Sequence, residues 1–393
     1  MGPRERMKNM HDAVIVGGGP AGLYAGWKLA RAGFRVALFE EHPTSGQPVH
    51  CTGVLAADAF EEFELPDDSV LNQLRTVQFH APSGNTIEYA TPTVEAVVID
   101  RARFDRRLAE RAALAGAELS YGERVTNVAV DGGGVRVTTP STSVHARVCV
   151  LACGASYAVQ RKLRLGMPRL LLHSAQAELP ARRLGDVEVH FGERVAPRGF
   201  AWAVPVQRER PYVRIGVMCA QHADRHFDRM LEDIAPRWGV ERTAQCQPRQ
   251  KILPLGPIER TFAERVVVLG DAAGIVKPTT GGGIYYSLLS ASLACDTLTG
   301  ALGRGDTSAA ALGEYQTQWR KRLGSELRWQ LVLRRIAQRL TDEDIDGLFA
   351  LARTDGLMPL VRRTAAFNRH RDFIVALLKH PPARRVLFRA ALA

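Results

Sequence analysis

The chain has 393 residues, 46% hydrophobic and 24% charged, with a net charge of +11 at neutral pH; this is a globular composition long enough for two or three domains. No run approaches the roughly 20 apolar residues that a membrane span needs. The basic start MGPRERMKNMH leads into too short an apolar run for a signal peptide, and Arg6 stands where a myristoylation site wants Ser or Thr. The six cysteines (Cys51, Cys149, Cys153, Cys219, Cys246 and Cys295) include no C-x-x-C pair and no neighbouring histidine cluster, so neither a metal site nor a disulfide scaffold is expected, and a cytoplasmic location is.

Residues 12–40 read as strand, tight turn, helix and strand. Residues 13–16 are a β-branched apolar run suited to a buried parallel strand. Gly17, Gly19 and Gly22 give the G-x-G-x-x-G spacing, with Pro20 and Ala21 opening a helix over 21–32. The first glycine permits the turn, the second lets a pyrophosphate approach the backbone, and the third brings helix onto strand. Glu40 follows Gly22 by 18 residues, at the end of the second strand, where an acid holds the ribose of an adenosine. These features predict a dinucleotide and leave NAD and FAD open.

Residues 41–54, EHPTSGQPVHCTGV, form a loop crossing the cofactor, followed by a short helix over 55–63. Residues 76–89 predict a hairpin turning at 82–85, and 96–99 are expected to return to the first sheet. Residues 101–115 have the apolar spacing of an amphipathic helix. Strands are expected around 118–121, 124–130, 135–139 and 145–152, and the run 131–134, DGGG, is read as a hairpin turn and not a second phosphate loop. Residues 170–255 alternate as an antiparallel sheet, interrupted by one helix near 227–238. A buried strand at 265–269 follows, and beyond it helices near 283–302, 308–339 and 342–352, then short basic helices broken by Pro359 and Pro381-Pro382.

The second informative stretch is 267–285. A buried strand delivers Gly270-Asp271 to a turn, where the acid can bind a sugar-like chain such as the ribityl of a flavin. Pro278 stiffens the approach to Gly281-Gly282-Gly283 at a helix start. Bare glycines there let a flat ring lie on backbone N–H groups, with the helix dipole favouring negative charge on it. Paired with the first motif, this points to FAD.

The chain resembles the geranylgeranyl reductase family of flavoproteins, in the p-hydroxybenzoate hydroxylase-like superfamily. The resemblance is carried by GGGPAG at 17–22, PVHCTG at 48–53, DRARFD at 100–105, FAWAVP at 200–205 and GDAAGIVKPTTGGGI at 270–284. It implies an α/β fold: a Rossmann-like FAD domain (1–70, 96–158 and 258–303), an inserted antiparallel-sheet substrate domain (71–95 and 159–257) and a helical, basic C-terminal region (304–393). It implies reduction of C=C bonds in an isoprenoid chain on a lipid, quinone or related head group. By family position Glu40 holds the adenosine ribose, Arg101 lies near the phosphates or ribityl, and Asp271 binds the pyrophosphate–ribityl region. Gly281, Gly282 and Gly283 meet the isoalloxazine, with further cofactor contacts implied for Glu41, Val125, Gly154, Gly270 and Ile284. Cys51 is placed above the ring as the catalytic residue, and Phe200, Trp202 and Pro205 line the substrate tunnel. Ala152-Cys153-Gly154 departs from the superfamily's Ala-Asp-Gly, and Cys51-Thr52-Gly53 differs slightly from the archaeal lipid reductases.

Cys51 is read as donating the alkene proton or orienting the water that does so, because a thiol in an apolar pocket stays protonated; the alternative is a packing cysteine. Cys153 is read as core. Lys277 is read as solvated, with a salt bridge to a substrate phosphate as the alternative, and Trp202 as tunnel wall, sheet core or both. The electron donor is expected to be NADPH or reduced ferredoxin. Residues 319–340 carry seven Lys or Arg against one acid, and 357–393 carry eight against Asp372. Such a balance suits an anionic partner or peripheral contact with the inner face of a membrane, where 383–393 would lie as an interfacial helix. Nucleic acid is not expected, and a monomer is favoured. Two other readings are an FAD-dependent monooxygenase or halogenase and a non-catalytic flavin-bound prenyl-lipid carrier. A halogenase wants a lysine in the loop after the second strand, and 41–54 has none.

Overall fold

The computed structural model describes residues 10–241, 247–354 and 356–392; Cys246 and the first nine residues lie outside them. The α/β class is as expected. Its first sheet has His11–Val16 at the centre, between Val36–Glu40 and Ser143–Leu151, with Glu118–Tyr121 and Val266–Val268 beyond, all parallel. Every residue of Val36–Glu40 is buried, as a strand covered on both faces requires. Helix Pro20–Arg31 packs between Arg101–Leu114 and Ile284–Arg304. The DGGG run is a hairpin turn: Asp131 Oδ1 accepts the N–H groups of Gly133 and Gly134 at 2.8 and 3.0 Å, and Asn127–Asp131 pairs antiparallel with Gly134–Thr138.

The second sheet orders its strands Arg249–Leu255, Leu170–Pro180, Pro211–Cys219, Phe200–Gln207, Val187–His190, Thr76–His80 and Thr86–Ala90. It is not antiparallel throughout. Val187–His190 and Thr76–His80 run parallel, because the hairpin arrives from elsewhere in the chain and docks on the sheet edge. Pleating gives the sheet two unlike faces. Ala201, Ala203 and Pro205 stand opposite Val217, Ile215 and Val213, on the face whose core is completed by helix Ala223–Trp238. Phe200, Trp202 and Val204 stand opposite Met218, Gly216 and Arg214 on the other face.

Three expectations are corrected. Ala96–Ile99 does not join the first sheet but is the middle strand of a small sheet with Val54–Ala56 and Val70–Leu74. The expected helix over 55–63 shortens to Ala59–Glu62, its first residues being taken as strand. Pro359 does not break a helix but lies in the first turn of Leu357–Thr364, whereas Pro381-Pro382 does separate Arg371–Lys379 from Pro381–Leu392 and opens the second. In a first turn the missing N–H has no helical partner to lose.

Candidate active site

The glycine turn has the space a dinucleotide needs. Gly17 has φ +110°, and a Cβ there would meet Ala152 O at 2.4 Å; one on Gly22 would meet Gly17 O at 2.0 Å. A Cβ on Gly19 would meet nothing within 4 Å, so that side of the backbone is open. Helix Pro20–Arg31 has no side-chain cap and no acid in its first turn, which leaves its positive end for an anion. Glu40 is buried beside the turn and accepts Gly18 N–H at 2.6 Å and His42 N–H at 2.9 Å. The chain returns past it through Glu123, whose N–H bonds Glu40 O at 2.9 Å, and through Arg124, paired with Glu41 at 2.7 Å. Half-buried Val125 follows directly.

At the other end, Val266–Val268 delivers Gly270-Asp271 into a short 3-10 turn. Asp271 Oδ2 lies 3.7 Å from Lys251 Nζ, and its Oδ1 occupies the space where a Cβ on Gly283 would come within 2.8 Å. Helix Ile284–Arg304 starts at Gly283 with no side-chain cap and no acidic first turn. Two uncapped helix starts, open backbone at Gly19 and the acids Glu40 and Asp271 fit an extended dinucleotide.

Lys277 is neither solvated nor left free for a phosphate. It is 4% exposed and donates to Phe367 O and Asn368 Oδ1, both at 2.8 Å, with its ammonium 4.3 Å from the Phe367 ring centre. Thr279 adds a 2.7 Å contact to His370 Nδ1. The C-terminal region thus clamps the glycine loop from behind. Burial lowers the Lys277 pKa to about 7 from the 10.5 of a free lysine. Between those values the unfolded chain binds more protons than the native one, so this group makes stability rise with pH across that window. Thermal melts from pH 7 to 10 should show wild type gaining on Lys277→Met as pH rises; parallel curves would refute the buried lysine.

The Cys51 loop lies across the start of helix Arg101–Leu114. Cys51 is partly buried, and its sulfur accepts Gly53 N–H at 3.4 Å. Burial works to lower the Arg101 pKa, but Asp105 and the Cys51 sulfur beside it more than offset this and raise it. Arg101 is forked onto buried Asp105 at 3.2 and 2.8 Å. The surroundings of Cys51 are therefore polar on one side, unlike the apolar pocket expected. His50, next in the chain, has its pKa brought down to about 4 by burial, then by the charges of Lys251 and Arg249, and its Nδ1 is buried without a partner among the described residues.

The loop is fastened to the second sheet by residues that sequence reasoning missed. Arg214, 2% exposed, donates to Thr52 O at 2.6 Å, Ile99 O at 2.9 Å and Glu178 Oε2 at 2.8 Å. Thr52 Oγ1 donates to Gln176 Oε1 at 2.8 Å. The one available signal was a lone arginine inside the apolar strand Pro211–Cys219.

The same sheet face supplies an apolar wall. Phe200 and Trp202 lie 5.7 Å apart between ring centres, beside Leu172, Met218, Leu253, Leu255 and Val276. A Cβ on Gly281 would meet Leu253 Cδ1 and Met218 Sδ at 3.1 Å, so the glycine loop runs against this wall. Trp202 has room because Gly216 opposite has no side chain; a Cβ there would enter the indole at 2.3 Å. Pro205 belongs to the opposite face and is not brought to this wall. Gly154 follows strand Ser143–Leu151 with φ +57°. Cys153 packs against the core, donates to Ser156 O at 3.2 Å, and has its pKa pushed up to about 11 by burial. All five described cysteines are free.

The family model described as lycopene cyclase protein matches residues 12–354. Digeranylgeranylglycerophospholipid reductase 2 of Methanothermobacter thermautotrophicus is 30% identical over 354 residues, 86% of this chain and 90% of that protein. The chain belongs to the family that the lycopene cyclase protein model describes and to the geranylgeranyl reductase family. A second family member, the digeranylgeranylglycerophospholipid reductase of Methanocaldococcus jannaschii, is 28% identical over 87% of this chain and 90% of its own length. Among solved structures, the geranylgeranyl bacteriochlorophyll reductase-like protein of Thermoplasma acidophilum superposes with TM-score 0.84 at 20% identity, over 97% of this chain and 99% of that one. A flavin-dependent brominase shares the fold at TM-score 0.71 and 17% identity, over 98% of each chain.

Proposed function

We propose that this geranylgeranyl reductase family member uses FAD to reduce C=C bonds of an isoprenoid chain carried on a lipid, quinone or related head group. The observation that carries this reading is one sheet face that presents Phe200, Trp202, Met218 and Leu253 to the glycine loop and, through Arg214 and Gln176, fastens the Cys51 loop beside them. The names of the curated relatives support the substrate class. FAD, once bound and reduced, supplies hydride chemistry at N5.

The chain's own residues supply the rest. An unactivated alkene that gains hydride at one carbon needs a proton at the other. Cys51 gives that proton directly or through a water. Gly53 N–H and the Arg101 guanidinium steady the negative charge left on the sulfur. Phe200 and Trp202 hold the chain and exclude water. Gly17, Gly19, Pro20, Ala21, Gly22, Glu40, Glu41 and Val125 form the adenosine end of the cofactor site. Asp271, Gly281, Gly282, Gly283 and Ile284 form its ring end.

Turnover with a panel of prenylated lipids and quinones, with and without oxygen, tests the reading. The expected product gains two hydrogens per double bond under both conditions. Oxygen-dependent incorporation of oxygen or halogen would replace the reading with the monooxygenase or halogenase chemistry of fold neighbours. Binding without oxidation of the reduced flavin would mark a carrier. For the electron donor, NADPH or reduced ferredoxin, anaerobic titration of the oxidised flavin with each should bleach it with one of them; the basic surface suits either anionic donor.

No helix among the described residues is long and apolar enough to cross a membrane. The interfacial helix expected over 383–393 uses part of its apolar face internally: Ala383 and Leu387 are buried against Leu357 and Leu377, while Phe388 is 53% exposed. Peripheral contact is proposed through Phe388 with Arg384 and Arg385. Flotation with anionic liposomes at low salt should carry the protein upward, and Phe388→Ser should reduce this; no flotation of wild type removes the proposal.

A further inference from the structure

On the sheet face turned away from the candidate active site, His80 and His190 stand directly opposite each other on the parallel strands Thr76–His80 and Val187–His190. Glu188 lies two residues before His190 on the same face. One ligating atom from each of the three falls within 4.8 Å of the others. His190 Nε2 is 2.8 Å from Glu188 Oε2, and His80 Nε2 is 3.9 Å from that same oxygen. The three side chains are only 11–13% exposed.

His80 Nδ1 is engaged with Thr86 Oγ1 at 3.1 Å, which turns Nε2 toward the carboxylate. That Nε2 is buried with no hydrogen-bond partner among the described residues. With the proton on Nδ1, a bare nitrogen lone pair faces a carboxylate oxygen. Two acceptors facing each other across 3.9 Å are unfavourable unless a positive centre stands between them.

We infer that His80, Glu188 and His190 form a site for a borderline divalent transition-metal ion such as Zn2+, with water completing the coordination. Two imidazoles and a carboxylate are the donor set such ions take, at about 2.0–2.2 Å from each ligand. The rings stack at 6° with centres 4.2 Å apart, so loading requires them to turn about χ2 until both lone pairs converge. Glu188 is oriented from behind by Trp238 Nε1 at 3.1 Å, as an outer-shell donor orients a ligating carboxylate. Arg237, 2.8 Å from Glu188 Oε2 and 46% exposed at its side chain, is the competing cation and swings to solvent when the ion enters. The ion would tie the edge hairpin to the sheet at the parallel junction between Thr76–His80 and Val187–His190.

Chelator-stripped, flavin-loaded protein titrated with Zn2+ in a calorimeter tests the site. The expected result is one equivalent at micromolar or tighter affinity, weakened at least about tenfold in His80→Ala and in His190→Ala, with a metal-dependent rise in melting temperature only in wild type. No saturable binding of Zn2+, Co2+ or Ni2+, or one equivalent whose affinity both variants retain, overturns the site. If the variants fold poorly, diethylpyrocarbonate labelling of wild type decides: Zn2+ should protect both His80 and His190, and equal labelling with and without the ion rejects the proposal.

Discussion

Cys51→Ala is expected to slow alkene reduction by about a hundredfold or more while leaving flavin content unchanged. The expectation rests on what surrounds the sulfur. A packing cysteine would meet apolar side chains on all sides, whereas Cys51 has Gly53 N–H and a largely buried arginine beside it. That arginine is locked by two hydrogen bonds to Asp105, itself 2% exposed, so its charge is fixed in place rather than free to follow solvent. The loop's attachment runs through Thr52 and Gly53 to the sheet, and alanine at 51 leaves those contacts intact. Cofactor binding and proton supply are therefore separable. Single-turnover reoxidation of reduced flavin by a prenyl substrate, measured beside flavin absorbance, reads both; full turnover in both Cys51→Ala and Cys51→Ser would remove Cys51 from the chemistry.

Arg214→Met should cost about 2–4 kcal/mol of stability and also lower turnover. The guanidinium serves two backbone carbonyls, the part-buried Thr52 O and the buried Ile99 O, as well as Glu178. Methionine fills much of the volume but leaves both carbonyls without their donor, at about 1–3 kcal/mol for each orphaned group. Glu178 keeps Arg208, at 3.2 Å, so the full penalty of a stranded buried charge does not apply. Lysine is a poor substitute, since one ammonium cannot reproduce the fork. Gly53→Ala attacks the same joint from the other side, because a Cβ there would come 2.6 Å from Arg214 Nη1 and 2.7 Å from Ile99 O. Urea unfolding of Arg214→Met within about 0.5 kcal/mol of wild type would show that the joint contributes little.

What the sequence disclosed about this site was local. Gly17, Gly19 and Gly22 lie close together in the chain, so their spacing is visible in sequence, and a Cβ on Gly22 would strike Gly17 O itself, although the clash at Gly17 is with distant Ala152 O. Gly281 to Gly283 before a helix is legible for the same reason, and so is the Asp131 turn. What it concealed depends on partners far apart in the chain. Arg214 reaches Thr52 across 162 positions, and Lys277 reaches Asn368 across 91, so nothing next to Lys277 marks it as a buried clamp. The partners of Ala96–Ile99 are not legible, because four apolar residues announce a strand without naming its neighbours. Pro359 reads as a break because a proline in a helix's first turn looks, from sequence, like a proline at a helix end. Alternation in Phe200–Gln207 was legible, yet the resemblance grouped Pro205 with Phe200 and Trp202 across the pleat.

That pleat has a practical reach for laboratory evolution. Along Phe200–Gln207 and its partner Pro211–Cys219, one parity of positions meets the helix-covered core, and the other meets the glycine loop at Phe200, Trp202 and Met218 and the small sheet at Val204 and Val206. Selection for new chain lengths or head groups can therefore be confined to Leu172, Phe200, Trp202, Met218 and Leu253, leaving Ala201, Ala203, Ile215 and Val217 constant. Libraries on the first set should shift which alkenes are accepted with modest loss of folded yield, and libraries on the second should lose yield before selectivity moves.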